Sequence, residues 1–304
     1  MLAIVIPYYK LTFFEATLQS LALQTDQRFK VYVGDDASPE DPAMIINEYK
    51  AQIKLVYHRF HKNYGATALS KQWERCIALT HEEPWIMILG DDDCLTPNVV
   101  QDFYSNVEQD LEGKYALIRF ASRFINALGT MLEGYDDYFH PKEEKAEDAF
   151  FRKWIGETRS SLSEYVFARD SYIQFGFQNY PLAWHTDDYA WLKFACKKLI
   201  LTVNTSLVQV RVSELSITGK SDNETVKNDA KRMFLRNVIF DTTLSFNTSQ
   251  RNEILFAYGE VINVQNKIEF IEVLKIFFQF VECHSYYNGL RFLRRMVRDT
   301  PKRI

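Results

Sequence analysis

The sequence predicts an α/β protein, a mostly parallel sheet flanked by helices and followed by a helical carboxy-terminal extension. Three observations predict it. Short apolar runs alternate with longer amphipathic stretches through the first half, the pattern of βαβ units. Aromatic or acidic residues fall just after three of those runs, at Pro7-Tyr8-Tyr9, Asp35-Asp36 and Asp91-Asp92-Asp93. From about Ser221 onward the pattern is helical throughout. Expected boundaries are residues 1–220 for the α/β domain and 221–304 for the helical region.

Taken in order, Leu2–Pro7 reads as a strand, Thr12–Gln24 as a helix, Phe29–Gly34 as a strand and Pro42–Ala51 as a helix. Ile53–Tyr57 is a third strand, Thr67–Thr80 a helix, and the apolar Trp85–Leu89 a fourth strand. Thr96 as N-cap and Pro97 at the first helical position announce a helix to Leu111. Tyr115–Ala121 is a further strand. Asn126–Glu147 looks irregular and acidic, a surface excursion suited to a lid. Ser161–Ala168 resembles a strand, and Asp187–Lys198 a helix. In α/β sheets of this kind ligands bind outside the carboxyl ends of the strands. The three decorated strand ends therefore point to one shared cleft.

Composition narrows the class. With 304 residues, 47% hydrophobic and 25% charged, the chain can bury a substantial core. A formal net charge of −4 gives no global reason to expect nucleic-acid binding. Cys76, Cys94, Cys196 and Cys283 stand far apart, against a zinc knuckle or disulfide framework and in keeping with a reducing cytoplasm. The amino terminus has no basic region, and no apolar run is long enough to span a membrane, so any membrane contact is expected to be peripheral. Near the carboxy terminus Arg291, Arg294, Arg295, Arg298, Lys302 and Arg303 stand against Asp299, interleaved with Leu290, Phe292, Leu293, Met296 and Val297. Either a solvated terminal helix or attachment to an anionic membrane surface accounts for this segment.

Asp91-Asp92-Asp93, one glycine beyond an apolar strand, is the most informative feature. At about 5 Å and an effective dielectric of about 20, each like-charge pair costs roughly 3 kcal/mol. Such a cluster is solvated, shares protons, or is neutralised by a hard cation. A solvated turn and a metal site are both open on this ground alone.

In combination the motifs resemble the family-2 glycosyltransferases, nucleotide-sugar enzymes of the GT-A fold. The resemblance is carried by Ala3-Ile4-Val5-Ile6-Pro7-Tyr8-Tyr9, by Ser20-Leu21-Ala22-Leu23-Gln24-Thr25, and by Val33-Gly34-Asp35-Asp36-Ala37-Ser38. Asn63-Tyr64-Gly65 and Leu89-Gly90-Asp91-Asp92-Asp93-Cys94-Leu95-Thr96-Pro97 complete it over roughly the first 110 residues. It implies donor contacts at Pro7, Tyr8, Tyr9, Asp36, Asn63, Gly65, Asp91 and Arg211. Tyr9 would stack on the base and Asp36 would accept from its N–H. Asp92 and Asp93 would face a divalent cation, Mn²⁺ or Mg²⁺. Thr186-Asp187-Asp188 looks like the family's base element, with Asp188 the base by position and Asp187 its neighbour. Helix N-capping is the competing account of that triplet. Trp184 and His185 precede it, Trp184 as a platform for a sugar face on the acceptor side and His185 as a local hydrogen-bonding residue.

The chain also departs from the family pattern. Gly90 stands where many members carry the first aspartate, Lys10 replaces a frequent asparagine, and Ser70-Lys71 replaces a common Arg-Asn. In Val210-Arg211-Val212-Ser213-Glu214-Leu215-Ser216, Ser213 takes the place of a frequent histidine. The implied activity is inverting sugar transfer from a UDP-sugar to a glycan or lipid-linked saccharide, in the cytoplasm or at the inner membrane face, within surface-polysaccharide assembly. A catalytically silent nucleotide-sugar-binding or assembly subunit is the reading from another class. A nucleotidyltransferase is a further alternative, weakened by the lack of a Gly-rich phosphate loop with lysine.

Overall fold

The computed structural model describes residues 1–110, 112–213, 223–265 and 269–298. The expected helix end at Leu111, the segment Glu214-Leu215-Ser216 and the basic residues Lys302 and Arg303 lie outside them. Two compact units emerge. Residues through Asn179, together with those from Thr186, form the α/β unit; Tyr180–His185 joins the residues from Asn223 onward.

In the α/β unit, β1 (Leu2–Tyr8), β2 (Phe29–Asp35), β3 (Leu55–Arg59) and β4 (Trp85–Ile88) alternate with α1 (Phe14–Ala22), α2 (Ala43–Tyr49) and α3 (Leu69–Ile77). These strands are parallel, in the order β3-β2-β1-β4. Beyond them come β5 (Cys94–Leu95), α4 (Val99–Val107), β6 (Leu117–Ile125), β7 (Glu143–Lys145), α5 (Ala146–Trp154), β8 (Tyr165–Ala168), α6 (Arg169–Phe175), α7 (Thr186–Phe194) and β9 (Leu199–Arg211). The sheet continues β4-β8-β6-β9-β5, and β8 runs antiparallel to both β4 and β6. The expected mostly parallel character is carried by the first four strands and by the β6–β9 pair, and β8, returning after α5, makes the second half mixed.

Leu2, Ile4 and Ile6 on β1 and Val31 and Val33 on β2 pack with Phe14, Leu18 and Leu21 of α1 in one core. β1 and β2 are buried almost throughout, which is why they read as continuous apolar runs rather than alternating ones. Thr96 is not an N-cap. Its hydroxyl donates to the Leu207 carbonyl (3.1 Å) and accepts from the Leu207 N–H (2.8 Å), tying β5 to β9, and the helix begins three residues later at Val99. The expected irregular excursion folds back on β6 through bridges at Met131 and Tyr138 and ends in β7.

The helical unit contains α8 (Glu224–Phe240), α9 (Thr248–Val264), α10 (Phe270–Glu282) and α11 (Tyr286–Arg298). Asn247 and Gln250 form a capping box at the start of α9. A Cβ at Gly259 would lie 2.5 Å from the Phe292 ring, so α9 and α11 approach closely only because that position is bare. Tyr180 accepts from Asn237 Nδ2 (2.7 Å), and the His185 ring stacks on Phe234 at 4.6 Å. These contacts account for the grouping of 180–185 with the helices, which the boundary expected at residue 220 does not anticipate. Among the described residues no helix is long and apolar enough to cross a membrane.

Candidate active site

Three strand ends meet through hydrogen bonds to one residue. Tyr9, just beyond β1, donates its N–H to Asp91 Oδ2 (2.7 Å), and its carbonyl accepts from Ser38 Oγ (2.6 Å). Asp91 follows β4 and Ser38 follows β2, so the Tyr9 main chain is held from both sides. Tyr9 as a residue is 39% exposed. An aromatic face presented from a fixed backbone suits stacking on a planar base. Tyr8 differs. Strand alternation turns its ring into the core against Phe14 at 4.6 Å, fully buried, and its carbonyl accepts from Asp36 N. The Tyr8 ring is thus part of the core, and a donor contact at this position would fall to its main chain. Pro7 is half-buried at the strand end.

The adjacent aspartates after β2 separate in role. Asp35 is fully buried and accepts from Ser38 N (2.7 Å), Tyr57 OH (2.6 Å) and Arg59 Nη1 (2.7 Å), which closes the strand end. Asp36 accepts from Tyr64 N (2.6 Å), Gly65 N (2.7 Å) and the Arg75 guanidinium. It thereby holds the Asn63-Tyr64-Gly65 loop against β2, with Asn63 Oδ1 accepting from Ala66 N (2.9 Å). A Cβ at Gly65 would sit 2.6 Å from Asp36 Oδ2, so this close approach requires glycine. A carboxylate has about four acceptor positions; three donors leave Asp36 room for one more.

The triple aspartate is likewise divided. Asp91 Oδ2 accepts from Lys10 N (2.8 Å) as well as Tyr9 N. Asp93 has both oxygens engaged, Oδ2 by Ser163 Oγ (2.5 Å) and Oδ1 by Arg211 N (2.9 Å). The Asp92 carboxylate accepts no hydrogen bond from another described residue. Burial first, then the charge of Asp91, pushes the Asp92 carboxyl up to about 6. Burial and Asp92 push Asp93 up in the same direction, against the pull of Ser163 and Arg211. Both carboxylates turn back over Gly90, where an added Cβ would lie 3.0 Å from Asp93 Oδ2 and 3.1 Å from Asp92 Oδ1.

Burial and mutual repulsion outweigh the pull of Lys10 and Arg211 on Asp92 and of Arg159 on Asp93. Among the described residues no group of three or more His, Cys, Asp or Glu gathers at metal-holding range. A divalent cation shared with a diphosphate needs only one or two protein carboxylates. Asp92 fits that requirement directly, and Asp93, saturated by Ser163 and Arg211, fits behind it.

Arg211 is 5% exposed and bonded to main chain. Its Nε donates to the Asp92 carbonyl (2.9 Å) and Nη1 to the Asn126 carbonyl (2.7 Å), while the guanidinium lies 4.5 Å over Phe13. In this state it braces the aspartate turn.

At the amino end of α7, Thr186 Oγ1 donates to the Gln178 carbonyl (3.0 Å). Asp188 is 5% exposed and ion-paired with Lys153 Nζ at 2.5 Å, whereas Asp187 is half-buried. Ser163 ties this region to the cluster. It bonds Asp93 and the Gly90 N–H (3.0 Å), and two residues later Tyr165 stacks on Trp191 of α7 at 4.4 Å. Just before α7, Ala183 and His185 lie in the left-handed region at φ 52° and 65°, a backbone cost of roughly 1 kcal/mol each. Trp184 and His185 belong to the helical unit, where Lys227 Nζ lies 4.8 Å over the Trp184 ring. The His185 ring stacks on Phe234 there. Ser163, Arg75 and Lys153 are absent from any sequence-level expectation, because none sits in a motif and each acts across a long loop.

A parallel strand half continued by a mixed half, flanked by helices, is the architecture of the GT-A fold. Residues 3–144 match the model of glycosyl transferase family 2. An uncharacterized glycosyltransferase of Haemophilus influenzae is 30% identical over 111 residues, a match covering 36% of this chain and 35% of that protein. This chain thus aligns with about a third of that curated relative. In fold it is similar to S. aureus TarS 1-349 solved with UDP-GlcNAc, with a TM-score of 0.64 and 13% identity over 99% of this chain and 82% of the other. It is also similar to a mannosyltransferase of Pyrobaculum calidifontis solved with GDP-Man and Mn²⁺, with a TM-score of 0.55 and 10% identity over 98% and 87% of the two chains.

Proposed function

We propose that this chain transfers a sugar from a UDP-sugar to a hydroxyl of a glycan or lipid-linked saccharide, with inversion at the anomeric carbon, in surface-polysaccharide assembly. The observation that carries the reading is Tyr9, exposed and pinned in its main chain by Asp91 and Ser38. The base of the donor stacks on Tyr9, and its N–H takes the remaining acceptor position of Asp36. Asp91 faces the ribose. A uracil N–H suits that acceptor, and the fold neighbour solved with UDP-GlcNAc supports uridine as the nucleoside. Asp92, backed by Asp93, would hold Mn²⁺ or Mg²⁺, which when bound stabilises charge on the departing diphosphate. The acidic pair at the start of α7 supplies the base that takes the acceptor proton.

Peripheral contact with an anionic membrane at the cytoplasmic face belongs to the same proposal. On α11, Tyr287, Leu290 and Val297 are exposed together with Arg291, Arg294 and Arg295. A second reading, a binding subunit without turnover, draws on the Asp188–Lys153 pair and on Gly90. A thermal-shift screen of nucleotide-sugars with and without Mn²⁺, followed by donor hydrolysis assays, separates them. A UDP-sugar that raises the melting temperature with Mn²⁺ and is then turned over supports the enzyme. Stabilisation without any turnover supports the binder, and no stabilisation by any uridine nucleotide refutes both.

A further inference from the structure

The turn that carries the aspartates is held from outside itself. Gly90 and Asp93 are its two ends, closed by Asp93 N donating to the Gly90 carbonyl (3.3 Å), with Asp91 and Asp92 at the corners between them. Ser163 reaches both ends with one hydroxyl. Its Oγ accepts from the Gly90 N–H (3.0 Å) and donates to Asp93 Oδ2 (2.5 Å). A hydroxyl has one proton and two lone pairs, and an amide N–H can only donate, so the Oγ proton is committed to Asp93. The other Asp93 oxygen accepts from Arg211 N (2.9 Å). Ser163 and Asp93 are 3% and 7% exposed, so these bonds are shielded from bulk water.

Strand register explains why a serine so far along the chain arrives there. β8 runs antiparallel to β4 with Met87 opposite Val166. Three residues further along the same register, past the ends of both strands, Gly90 faces Ser163. The segment that delivers the serine is itself fixed. Ser163 lies in the short 3₁₀ turn Leu162–Glu164. Its neighbour Glu164 is fully buried and accepts from the Arg159 guanidinium and from Ser161 Oγ (3.0 Å). Arg159 Nη1 also donates to Ser122 Oγ (2.9 Å) on β6. Support of this kind leaves the Ser163 hydroxyl little freedom in where it points.

Resting on the cation-site reading above, we propose that Ser163 is a positioning residue for the divalent cation. It clamps the turn from Gly90 to Asp93 so that Asp92 is the carboxylate left to bind. Asp91 Oδ2 is engaged by the main-chain N–H groups of Tyr9 and Lys10, and Asp93 is engaged by Ser163 and Arg211. Asp92, at the corner between them, accepts no hydrogen bond from another described residue. Without the Ser163 hydroxyl, Asp93 Oδ2 loses the group that fixes its direction, and the Gly90 N–H is left unpaired in a buried place. Both losses loosen the corner that aims Asp92. The bare position 90 belongs to the same device, because an added Cβ would lie 3.0 Å from Asp93 Oδ2, the oxygen that Ser163 holds. Ser163 acts through Asp93 and Gly90 rather than on the cation itself, and outer partners of this kind set metal affinity by orienting the ligand.

The test uses the full chain with UDP and Mn²⁺ and reads binding. Free Mn²⁺ is followed by electron paramagnetic resonance at saturating UDP, and UDP affinity without metal by calorimetry. Ser163→Ala should weaken Mn²⁺ binding about 10- to 100-fold and leave metal-free UDP affinity within about twofold. Ser163→Cys, which keeps the shape with a weak donor, should fall between, and it carries the test if Ser163→Ala does not fold. In an Asp93→Ala background the Ser163→Ala step should cost less than about threefold, because its partner is already gone. Unchanged Mn²⁺ affinity in Ser163→Ala or Ser163→Cys overturns the assignment. So does a full loss repeated on Asp93→Ala, or a matching fall in metal-free UDP affinity, which would make Ser163 a support of the fold alone. Wild-type protein that takes up UDP but no Mn²⁺ overturns the cation site itself, and the clamp with it.

Discussion

Replacing Gly90 by aspartate, the residue common at this position in the family it resembles, would place a third carboxylate among groups already crowded. An added Cβ meets Asp93 Oδ2 at 3.0 Å and Asp92 Oδ1 at 3.1 Å. The Asp92 end can give by a few tenths of an ångström, the Asp93 carboxylate is held by Ser163 and Arg211, and the Gly90 backbone is not left-handed, so alanine there costs about 1 kcal/mol. The charge is not cheap. Two like charges about 4 Å apart cost about 4 kcal/mol at an effective dielectric of about 20. The new carboxylate faces two of them, part-exposed, so a net loss of roughly 2–4 kcal/mol is expected at pH 7.5 for Gly90→Asp relative to Gly90→Ala. For an α/β unit of this size that lowers Tm by about 4–16 °C. The sign with pH is fixed by the raised carboxyls. Asp92 and Asp93 titrate above the ordinary aspartate value in the fold, so their repulsion is absent at acid pH and grows as pH rises toward 7. Urea unfolding at pH 5 and 7.5, with and without Mn²⁺ and UDP, reads this directly. The penalty should shrink at pH 5 and with Mn²⁺. Equal stability of the two variants at pH 7.5, with no pH dependence, refutes the crowding on which the cation site rests.

Asp36→Asn removes a charged acceptor from three donors, one of them arginine. It should cost about 3 kcal/mol of stability and weaken UDP binding at least tenfold, measured by thermal melting and calorimetric titration. Unchanged UDP affinity would exclude Asp36 from the donor pocket. His140 is 6% exposed, and burial with Arg119, Arg152 and Arg159 holds it down to about 3. The unfolded chain binds that proton near pH 6.5 and the fold does not, so stability should fall by roughly 1.4 kcal/mol per pH unit below about pH 6. His140→Gln should flatten that slope in acid melts; an identical slope in the variant assigns it elsewhere. Replacing Arg291, Arg294 and Arg295 by glutamine should abolish co-sedimentation with phosphatidylserine vesicles at low salt. Wild-type protein that stays in the supernatant rules out membrane attachment through α11.

Much of the cleft is legible in the sequence because its parts are local. β1, β2 and β4 are buried runs ending in Tyr9, Asp36 and Asp91–Asp93, and strand ends on a parallel sheet edge must be neighbours. What those residues do to one another is not local. Nothing in Asp35-Asp36 says that one carboxylate closes its own strand while the other grips a loop 28 residues away. The motif order cannot show that Asp188 turns inward to Lys153. α5 escapes notice because it opens within the acidic stretch, with Glu147 and Asp148 in its first turn and Arg152 and Lys153 in its last. The pairing of β9 with β6 skips Asn204, Thr205 and Ser206 and shifts register between Phe120 and Ala121, so no clean alternation marks the strand. Thr96 misleads because a hydroxyl before a helix serves a strand equally well.

The central claim is that the edge formed by Tyr9, Asp36 and Asp92 binds a nucleoside diphosphate together with a divalent cation. Anomalous diffraction from a crystal grown with UDP and Mn²⁺ tests it most directly. The account predicts a manganese peak at the Asp92 carboxylate and a uracil ring stacked on Tyr9. Nucleotide bound elsewhere, or an Asp92 carboxylate facing solvent with no peak beside it, would contradict it.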